Sequence, residues 1–241
     1  MSEPTDAFAP LRGNRLLAML DEATLAALAP ELQMAPLVVP ERLLEERRPM
    51  RNVWFPVRGV VSMIAAVAGA ESMIEVGTIG DEGLVGVPLL LGATTAPGDC
   101  FAQVEGEAWR MPASAFLAAV EAYPLLSRVL HRYTQALLVQ VSQSTACNRV
   151  HTPAQRCARW LLMTADRVHG NAFLLTQEFL GQMLGERRPT VSRVASDFQA
   201  RGLVSYSRGH MVILDRARME AEACPCYRFV RDEYDGMLAR K

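Results

Sequence analysis

Residues 175–202 constrain the fold of this chain more than any other segment. Apolar residues recur there at spacings of three and four on either side of Gly185, which predicts two short amphipathic helices joined by a tight turn. Gly185 can adopt the positive φ of such a turn, and Gly181 stands where the helices would cross. Thr176 can cap the first helix, and Gly202 follows the second as a left-handed cap residue. Together these features predict a DNA-binding helix-turn-helix, whereas each one alone also fits an ordinary helical hairpin with a charged face.

Polar side chains on this predicted motif suit contacts with nucleic acid. Arginine offers a planar fork to phosphate and to the guanine edge, and hydroxyl and amide groups also donate to phosphates. A predicted β-hairpin of residues 203–206 and 211–214 follows directly, as a wing would, and its turn arginine either reaches a phosphate or is solvated. The candidate DNA-binding residues are Thr176, Gln177, Arg187, Arg188, Thr190, Ser192, Arg193 and Arg208.

Basic residues are unevenly distributed along the 241-residue chain, although its net charge is only −1. Residues 1–148 hold 10 Arg and 16 acidic residues, a balance of −6, whereas residues 149–241 hold 14 Arg, one Lys and 10 acidic residues, a balance of +5. Only the half with the predicted helix-turn-helix is basic, as attraction to double-stranded DNA requires. Since no P-loop, nucleophile elbow or paired-carboxylate spacing is found, we do not expect an enzyme.

The region before this motif has the composition of an antiparallel β-domain. Short β-prone runs are separated by turn signals that include Gly59, Gly69 and Gly106, and they lie at residues 53–55, 60–67, 72–79, 101–104 and 108–111. Strands at this spacing suggest a jelly-roll-like β-roll, so the predicted fold class is α+β. The expected segments are a flexible tail (1–13), a β-roll sensor domain (14–122), a dimerisation helix (123–148) and a winged helix-turn-helix domain (149–241).

The long helix is predicted from about residue 124 to 146, a stretch with no glycine and with its only proline at the start. Its apolar residues form one stripe, which suits either a buried core helix or a two-stranded dimer seam. Because helix-turn-helix proteins usually bind two-fold sites, we expect a homodimer on inverted-repeat DNA and assign the stripe to the subunit interface. The interface residues are then Leu126, Leu130, Tyr133, Leu137 and Val141.

Cysteine usage and the absence of targeting signals indicate the compartment. No uninterrupted run of about 18 apolar residues and no basic-then-apolar N-terminus is found, so neither a membrane span nor a secretion signal is expected. The five cysteines are odd in number and widely spaced, which favours a reducing cytoplasm. The four histidines show no metal-ligand spacing, and no metal site is predicted. Four cysteines allow two interpretations: Cys147, Cys157, Cys224 and Cys226. They are buried and inert, or they are candidates to bind a metal ion or cluster if the tail folds back.

The order of β-roll, long helix and winged helix-turn-helix resembles the CRP/FNR family of bacterial transcription regulators, from about residue 14 onward. The strongest match is LTQEFLGQMLGERRPTVSRV, where a Gly, a short polar stretch with Arg, and Thr-Val-Ser-Arg follow the family pattern. The resemblance implies that Arg188 and Arg193 contact bases or phosphate, and that RNA polymerase is a partner. Pro189 stands where the family often carries a base-reading Glu, so a different target sequence is implied.

Family members that bind cyclic AMP carry a Gly-Glu turn followed by an Arg and a Ser or Thr. The corresponding residues 83–104 contain no arginine, and Gly86-Val87-Pro88-Leu89 replaces the Gly-Glu element. Because a buried cyclic phosphate needs a cation or amide donors, we do not expect cyclic AMP to be the effector. The candidate effector-pocket residues are Gly83, Gly86, Val87, Thr94 and Thr95.

The sequence therefore predicts a cytoplasmic, homodimeric, sequence-specific DNA-binding regulator. Its β-roll either senses an effector other than cyclic AMP or serves as a fixed platform for the dimer. Two alternatives stay open: a redox or metal sensor, iron–sulfur proteins included, built on the C-terminal cysteines, and a nucleotide-binding module with secondary DNA contacts.

Overall fold

The computed structural model describes residues 7–66 and 73–239. Along the chain it consists of an N-terminal β-domain, a long central helix and a C-terminal helix-turn-helix domain. This combination of helices and antiparallel sheets confirms the predicted α+β class. Three parts of the prediction lie outside the described residues: residue 67 of one predicted strand, residue 72 of another, and the predicted turn at Gly69.

A five-stranded antiparallel sheet forms the β-domain. Its strands are β1 (Gln33–Leu37), β2 (Arg42–Leu44), β3 (Asn52–Ala66), β4 (Met73–Ile79) and β5 (Asp99–Pro112). The strand order is β1-β5-β3-β4, and β2 also pairs with β5, so the two longest strands lie side by side in the middle. Val53, Phe55 and Val61 of β3 are fully buried and contribute to the main apolar core.

The predicted breaks at Gly59 and Gly106 are wrong, because both glycines lie inside continuous strands. They mark the place where the pairing of β3 with β5 shifts its register. Gly59 has a φ of +89° there, and a Cβ on Gly106 would lie 2.1 Å from the carbonyl oxygen of Arg58. Glycine therefore allows a bulge with close backbone approach at this point. The short strands predicted at residues 53–55 and 60–67 belong to β3, and those predicted at 101–104 and 108–111 belong to β5.

Part of the predicted tail packs on the β-domain. Leu11 is buried, and the indole nitrogen of Trp109 donates to the carbonyl oxygen of Pro10 at 3.2 Å. The buried side-chain amide of Asn14 donates to the carbonyl oxygens of Pro56 and Gly83 at 2.8 and 3.0 Å. The boundary of the β-domain therefore lies before residue 14. Helix α1 (Glu22–Leu28) follows, with its first turn capped by the side chain of the preceding aspartate.

The central helix α4 (Pro124–Val150) continues four residues beyond its predicted end at residue 146. It follows the short helix α2 (Val87–Leu90) and helix α3 (Ala113–Ala122). Among the described residues no single helix has the length and apolarity of a membrane span. The two helices α3 and α4 reach that length and apolarity only when taken together, and the angle of the bend between them is 110°.

The C-terminal region begins with helix α5 (Pro153–Arg167) and contains helices α6 (Gln177–Leu184), α7 (Arg188–Ala200) and α8 (Arg216–Glu222). The predicted wing is present as β7 (Val204–Ser207) and β8 (His210–Ile213). A third strand, β6 (Ala172–Leu174), pairs with β8 and was not predicted, because only one of its three residues is buried.

The last helix, α9 (Cys226–Ala239), leaves the helix-turn-helix and packs along α4. The rings of Tyr133 on α4 and Tyr234 on α9 lie 6.4 Å apart. The predicted unit of residues 149–241 is therefore not self-contained, since its final helix returns to the central helix.

Candidate nucleic-acid interface and sensor cavity

The turn between α6 and α7 depends on glycine and on a buried arginine. Gly185 ends α6 with a φ of +62°, and a Cβ on Gly181 would lie 3.0 Å from the carbonyl oxygen of Glu186. Arg156 of α5 donates to the carbonyl oxygen of Leu184 at 2.9 Å and pairs with the carboxylate of Glu186. Arg156 thus ties α5 to the end of α6 and to the turn that leads into α7. The role of Arg156 was missed in the sequence, because nothing in its spacing marks it as a partner of the turn.

Four predicted DNA contacts are exposed arginines on the outer side of α7 and at the tip of the wing: Arg187, Arg188, Arg193 and Arg208. Within the described parts of the chain, none of the four has a carboxylate at ion-pair distance. By contrast, Arg201 at the end of α7 pairs with Glu222, and Arg216 pairs with Asp166. The unpaired arginines leave a positively charged surface on the first half of α7 and on the wing.

The other predicted DNA contacts have partners within the motif. The hydroxyl of Thr176 accepts a hydrogen bond from the backbone N–H of Phe179 at 3.1 Å and so caps α6. The hydroxyl of Ser192 donates to the side-chain oxygen of Gln177 at 2.5 Å. Thr190 is half-buried in the first turn of α7. The hydrogen bond between Ser192 and Gln177 thus joins α7 to α6, whereas Thr176 stabilises the start of α6 alone.

Helices α5 and α6 pack against the β-domain. The ring of Phe179 on α6 lies edge-on to that of Phe101 on β5, with 5.9 Å between centroids. Glu75 on β4 accepts hydrogen bonds from the indole of Trp160 and the hydroxyl of Ser62, each at 2.7 Å. Burial raises the pKa of Glu75 to about 7, although these two hydrogen bonds and the nearby arginines of α5 oppose the shift.

A cavity of about 220 Å³ lies in the β-domain next to α4. Gly86 and Val87, two of the predicted pocket residues, line it. Gly83 does not, because it lies against the side chain of Tyr133, whose hydroxyl would be 2.5 Å from an added Cβ. Thr94 and Thr95 are exposed to solvent and also do not line it. Sequence reasoning missed most of the lining, which includes Met63, Ile64, Val76, Ile79, Cys100 and Leu137.

The cavity wall is largely apolar. Asp99 is its one acidic residue, and no arginine, lysine or histidine is found among the described residues that line it. The Asp99 carboxylate accepts a hydrogen bond from the backbone N–H of Glu46 at 2.8 Å and faces Arg42 at 3.5 Å. Such a wall suits an apolar or neutral ligand and offers no counter-charge to a phosphate.

The structure corrects the predicted subunit interface on α4. Leu126, Leu130, Tyr133 and Leu137 are at most 6% exposed within the single chain, so their side chains have no surface to offer a partner. They pack instead against α9 and the β-domain, where the hydroxyl of Tyr133 donates to the carbonyl oxygen of Leu84 at 3.3 Å. Val141 is half-buried. The apolar stripe is therefore the core-facing side of α4, because a buried helix and a dimer seam give the same spacing.

The cysteines fall into two groups. Cys100 and Cys157 belong to the main apolar core, and burial raises the pKa of each to about 12. Cys147, Cys224 and Cys226 form a separate buried cluster. The hydrogen bond between the thiols of Cys147 and Cys224 lowers the pKa of Cys147. Three of the four predicted metal candidates thus come together, whereas Cys157 lies elsewhere.

His151 joins this cluster, contrary to the prediction that the histidines are not placed as metal ligands. His151 follows Cys147 by four residues and stands directly after the end of α4, about one helical turn from Cys147. That spacing was a usable signal in the sequence, but the other two thiols lie more than 70 residues further along the chain.

Comparison with known proteins identifies the family of the helix-turn-helix domain and the fold of the chain as a whole. Residues 155–222 match the Crp-like helix-turn-helix domain family. The transcriptional regulator LdrP of Thermus thermophilus is 29% identical over 142 residues, which are 53% of this chain and 73% of LdrP. The structure of FixK2 from Bradyrhizobium japonicum superposes with a TM-score of 0.68 at 18% identity, covering 80% of this chain and 98% of FixK2.

A further solved structure, the c-di-GMP responsive global regulator CLP of Xanthomonas campestris, has a TM-score of 0.65 at 15% identity. It covers 81% of this chain and all of CLP. The chain thus combines a Crp-like helix-turn-helix domain with the overall fold of these regulators. The helix-turn-helix match and the shared fold agree with the resemblance to the CRP/FNR family seen in the sequence.

Proposed function

We propose that this chain is a sequence-specific DNA-binding regulator that places α7 in the major groove and the β7–β8 wing against the phosphate backbone. The observation that carries the proposal is the set of four exposed arginines on the first half of α7 and at the tip of the wing, which have no acidic partner in the part of the chain that the structure describes. Arg188 and Arg193 read base edges or phosphate, and Arg208 contacts phosphate. Pro189 leaves the neighbouring base without the glutamate contact of the family.

The active form is a homodimer that joins through the exposed side of α4. Six exposed residues repeat there at alternating spacings of four and three, as in a two-stranded coiled coil: His131, Gln135, Leu138, Ser142, Thr145 and Arg149. Leu138 is 56% exposed and is the large apolar residue of this stripe. Two copies joined along α4 place two recognition helices on one face, which suits an inverted repeat.

The effector is an apolar or neutral molecule that binds in the cavity beside α4. The apolar lining and the absence of a cationic side chain among its described residues support this choice over cyclic AMP. They also weigh against a nucleotide-binding module with secondary DNA contacts. The regulator acts in the cytoplasm, with RNA polymerase as a partner at its promoters.

Selection of bound sites from a random DNA pool, followed by footprinting on the selected site, tests this function. We expect an inverted repeat with half-site centres about one helical turn apart, roughly 34 Å. A footprint without dyad symmetry would contradict the dimer, and the absence of any enriched sequence would contradict sequence-specific binding.

A further inference from the structure

Four potential metal ligands converge at the end of α4. Cys147 lies in the last turn of α4 and His151 directly follows that helix, while Cys224 and Cys226 flank the proline that precedes α9. The sulfurs of Cys147 and Cys224 are 3.4 Å apart, and Nδ1 of His151 is 3.6 Å from the sulfur of Cys226. All four ligand atoms lie within 4.8 Å of one another.

Ordinary core packing does not account for this arrangement. The three cysteines are at most 2% exposed, yet they form a cluster separate from the main apolar core, which takes in Cys100 and Cys157 instead. A cysteine that serves as a small apolar residue would contact aliphatic side chains, as those two do. Here each thiol faces other sulfurs or the half-buried imidazole of His151.

We propose that Cys147, His151, Cys224 and Cys226 bind one Zn²⁺ ion in a tetrahedral site. Three thiolates and one imidazole are a common ligand set of structural zinc. With Zn–S bonds of about 2.3 Å, tetrahedral sulfurs lie about 3.8 Å apart, which agrees with the compact spacing of these atoms. An iron–sulfur cluster fits less well, because its protein ligands divide among two or four irons and must therefore surround a volume larger than a single ion.

The surroundings of the site support thiolate ligands. The side-chain amide of Gln143, one turn before Cys147 on α4, donates to the sulfur of Cys226 at 3.1 Å. Hydrogen bonds of this kind orient thiolate ligands and reduce their excess charge. His151 is half-buried and is the ligand nearest to solvent, so an ion can enter from its side.

The position of the site gives zinc a structural consequence. His151 lies in the two-residue connection between α4 and α5, and the other ligands join this connection to the tail. A bound ion therefore fixes the junction between the central helix and the helix-turn-helix domain. It also anchors the start of α9, which packs along α4.

Metal binding can be measured on the full-length chain without DNA, so its result is independent of the proposed function. The protein is stripped of metal with a chelator, reduced, and titrated with Co²⁺ and then Zn²⁺. We expect one Co²⁺ per chain with the visible absorption of tetrahedral thiolate cobalt, which Zn²⁺ displaces. Zinc should also raise the midpoint of thermal unfolding.

Variants separate the proposed ligands from the other cysteines. Cys147→Ser and Cys226→Ser should lose the one-to-one stoichiometry, whereas the matched control Cys157→Ser should keep it. His151→Ala should weaken binding and change the cobalt spectrum, and it keeps the test valid if a buried cysteine variant fails to fold. The proposal is overturned if the reduced wild-type chain binds neither ion, if it binds iron with sulfide instead, or if Cys157→Ser abolishes binding equally.

Discussion

Glu75 and Val76 are neighbours on β4, and their side chains contact different parts of the molecule. Val76 lines the cavity of the β-domain, while Glu75 accepts a hydrogen bond from Trp160 on α5 at 2.7 Å. Val76 is left without a partner where the pairing of β3 with β4 shifts its register, and this short strand contacts both the cavity and the C-terminal domain. A ligand that displaces β4 would therefore alter the contact that positions α5 and, through Arg156, the turn before α7.

The buried carboxyl group of Glu75 should make stability depend on pH. Its pKa is raised from the usual 4.5 to about 7 by burial. The folded chain thus holds a proton that the unfolded chain releases, and this contribution is complete below pH 4.5 and is lost as the pH rises through 7. Glu75→Gln keeps the shape and cannot ionise. Between pH 4.5 and 8 the variant should therefore gain about 3 kcal/mol of unfolding free energy relative to wild type.

Denaturant unfolding of both proteins at several pH values measures this difference. Parallel curves for wild type and Glu75→Gln would mean that Glu75 ionises normally in the folded chain. The comparison isolates Glu75, because the two proteins differ at this residue alone.

Arg188→Ala should weaken binding to the selected DNA site by about 1–3 kcal/mol if Arg188 reads a base edge bidentately. The loss should be confined to sequences that carry the recognised base at one position. Arg228→Ala removes the same charge from an exposed site on α9 and should leave specific binding nearly unchanged. Fluorescence anisotropy over a salt series checks both variants. An equal loss on all sequences, with a shallower salt slope, would instead identify a phosphate contact.

Leu138→Asp should convert the dimer to monomers, because it places a charge in the proposed coiled-coil seam on α4. Leu117→Asp on α3 is the matched control, since Leu117 is 45% exposed, compared with 56% for Leu138. Sedimentation velocity should show monomers for the first variant and dimers for the second. A dimeric Leu138→Asp protein would place the interface on another surface.

Cyclic AMP should not bind the cavity at physiological concentration. Without a cation for the phosphate and without the hydrogen bond of the family's Gly-Glu element, about 3–5 kcal/mol of binding free energy is missing, which is about two to three and a half orders of magnitude in affinity. Titration calorimetry with cyclic AMP and cyclic GMP measures this directly. A Kd in the low micromolar range or tighter would show that a charged group from outside the cavity lining reaches the ligand.

The helix-turn-helix could be predicted from the sequence because its signals are local. Gly185, the cap at Thr176 and the spacing of buried residues act within about thirty residues, and the structure has both helices and the wing close to their predicted bounds. The domain order followed from the same patterns and from the family resemblance.

Features that depend on distant contacts could not be predicted in this way. The stripe on α4 has the same spacing whether it faces a partner or α9, and no local signal shows that the tail returns to this helix. Thr94 and Thr95 lie close to the predicted pocket in sequence, but their exposure depends on how the segment before β5 packs. The grouping of His151 with Cys224 and Cys226 likewise requires the tertiary fold.

Arg156→Ala should destabilise the helix-turn-helix and weaken DNA binding, although Arg156 does not face the recognition surface. The substitution leaves the carbonyl oxygen of Leu184 without its 2.9 Å donor and the carboxylate of Glu186 without its partner. Breaking a pair in which the arginine is 7% exposed should cost roughly 2–4 kcal/mol, with the partial exposure of Glu186 reducing the loss. Arg201→Ala, which removes a more exposed pair at the other end of α7, should cost much less.

Denaturant unfolding gives the stability of the Arg156→Ala and Arg201→Ala variants, and fluorescence anisotropy at a temperature where both are folded gives their DNA affinity. If Arg156→Ala matches Arg201→Ala in both measurements, the turn does not depend on Arg156.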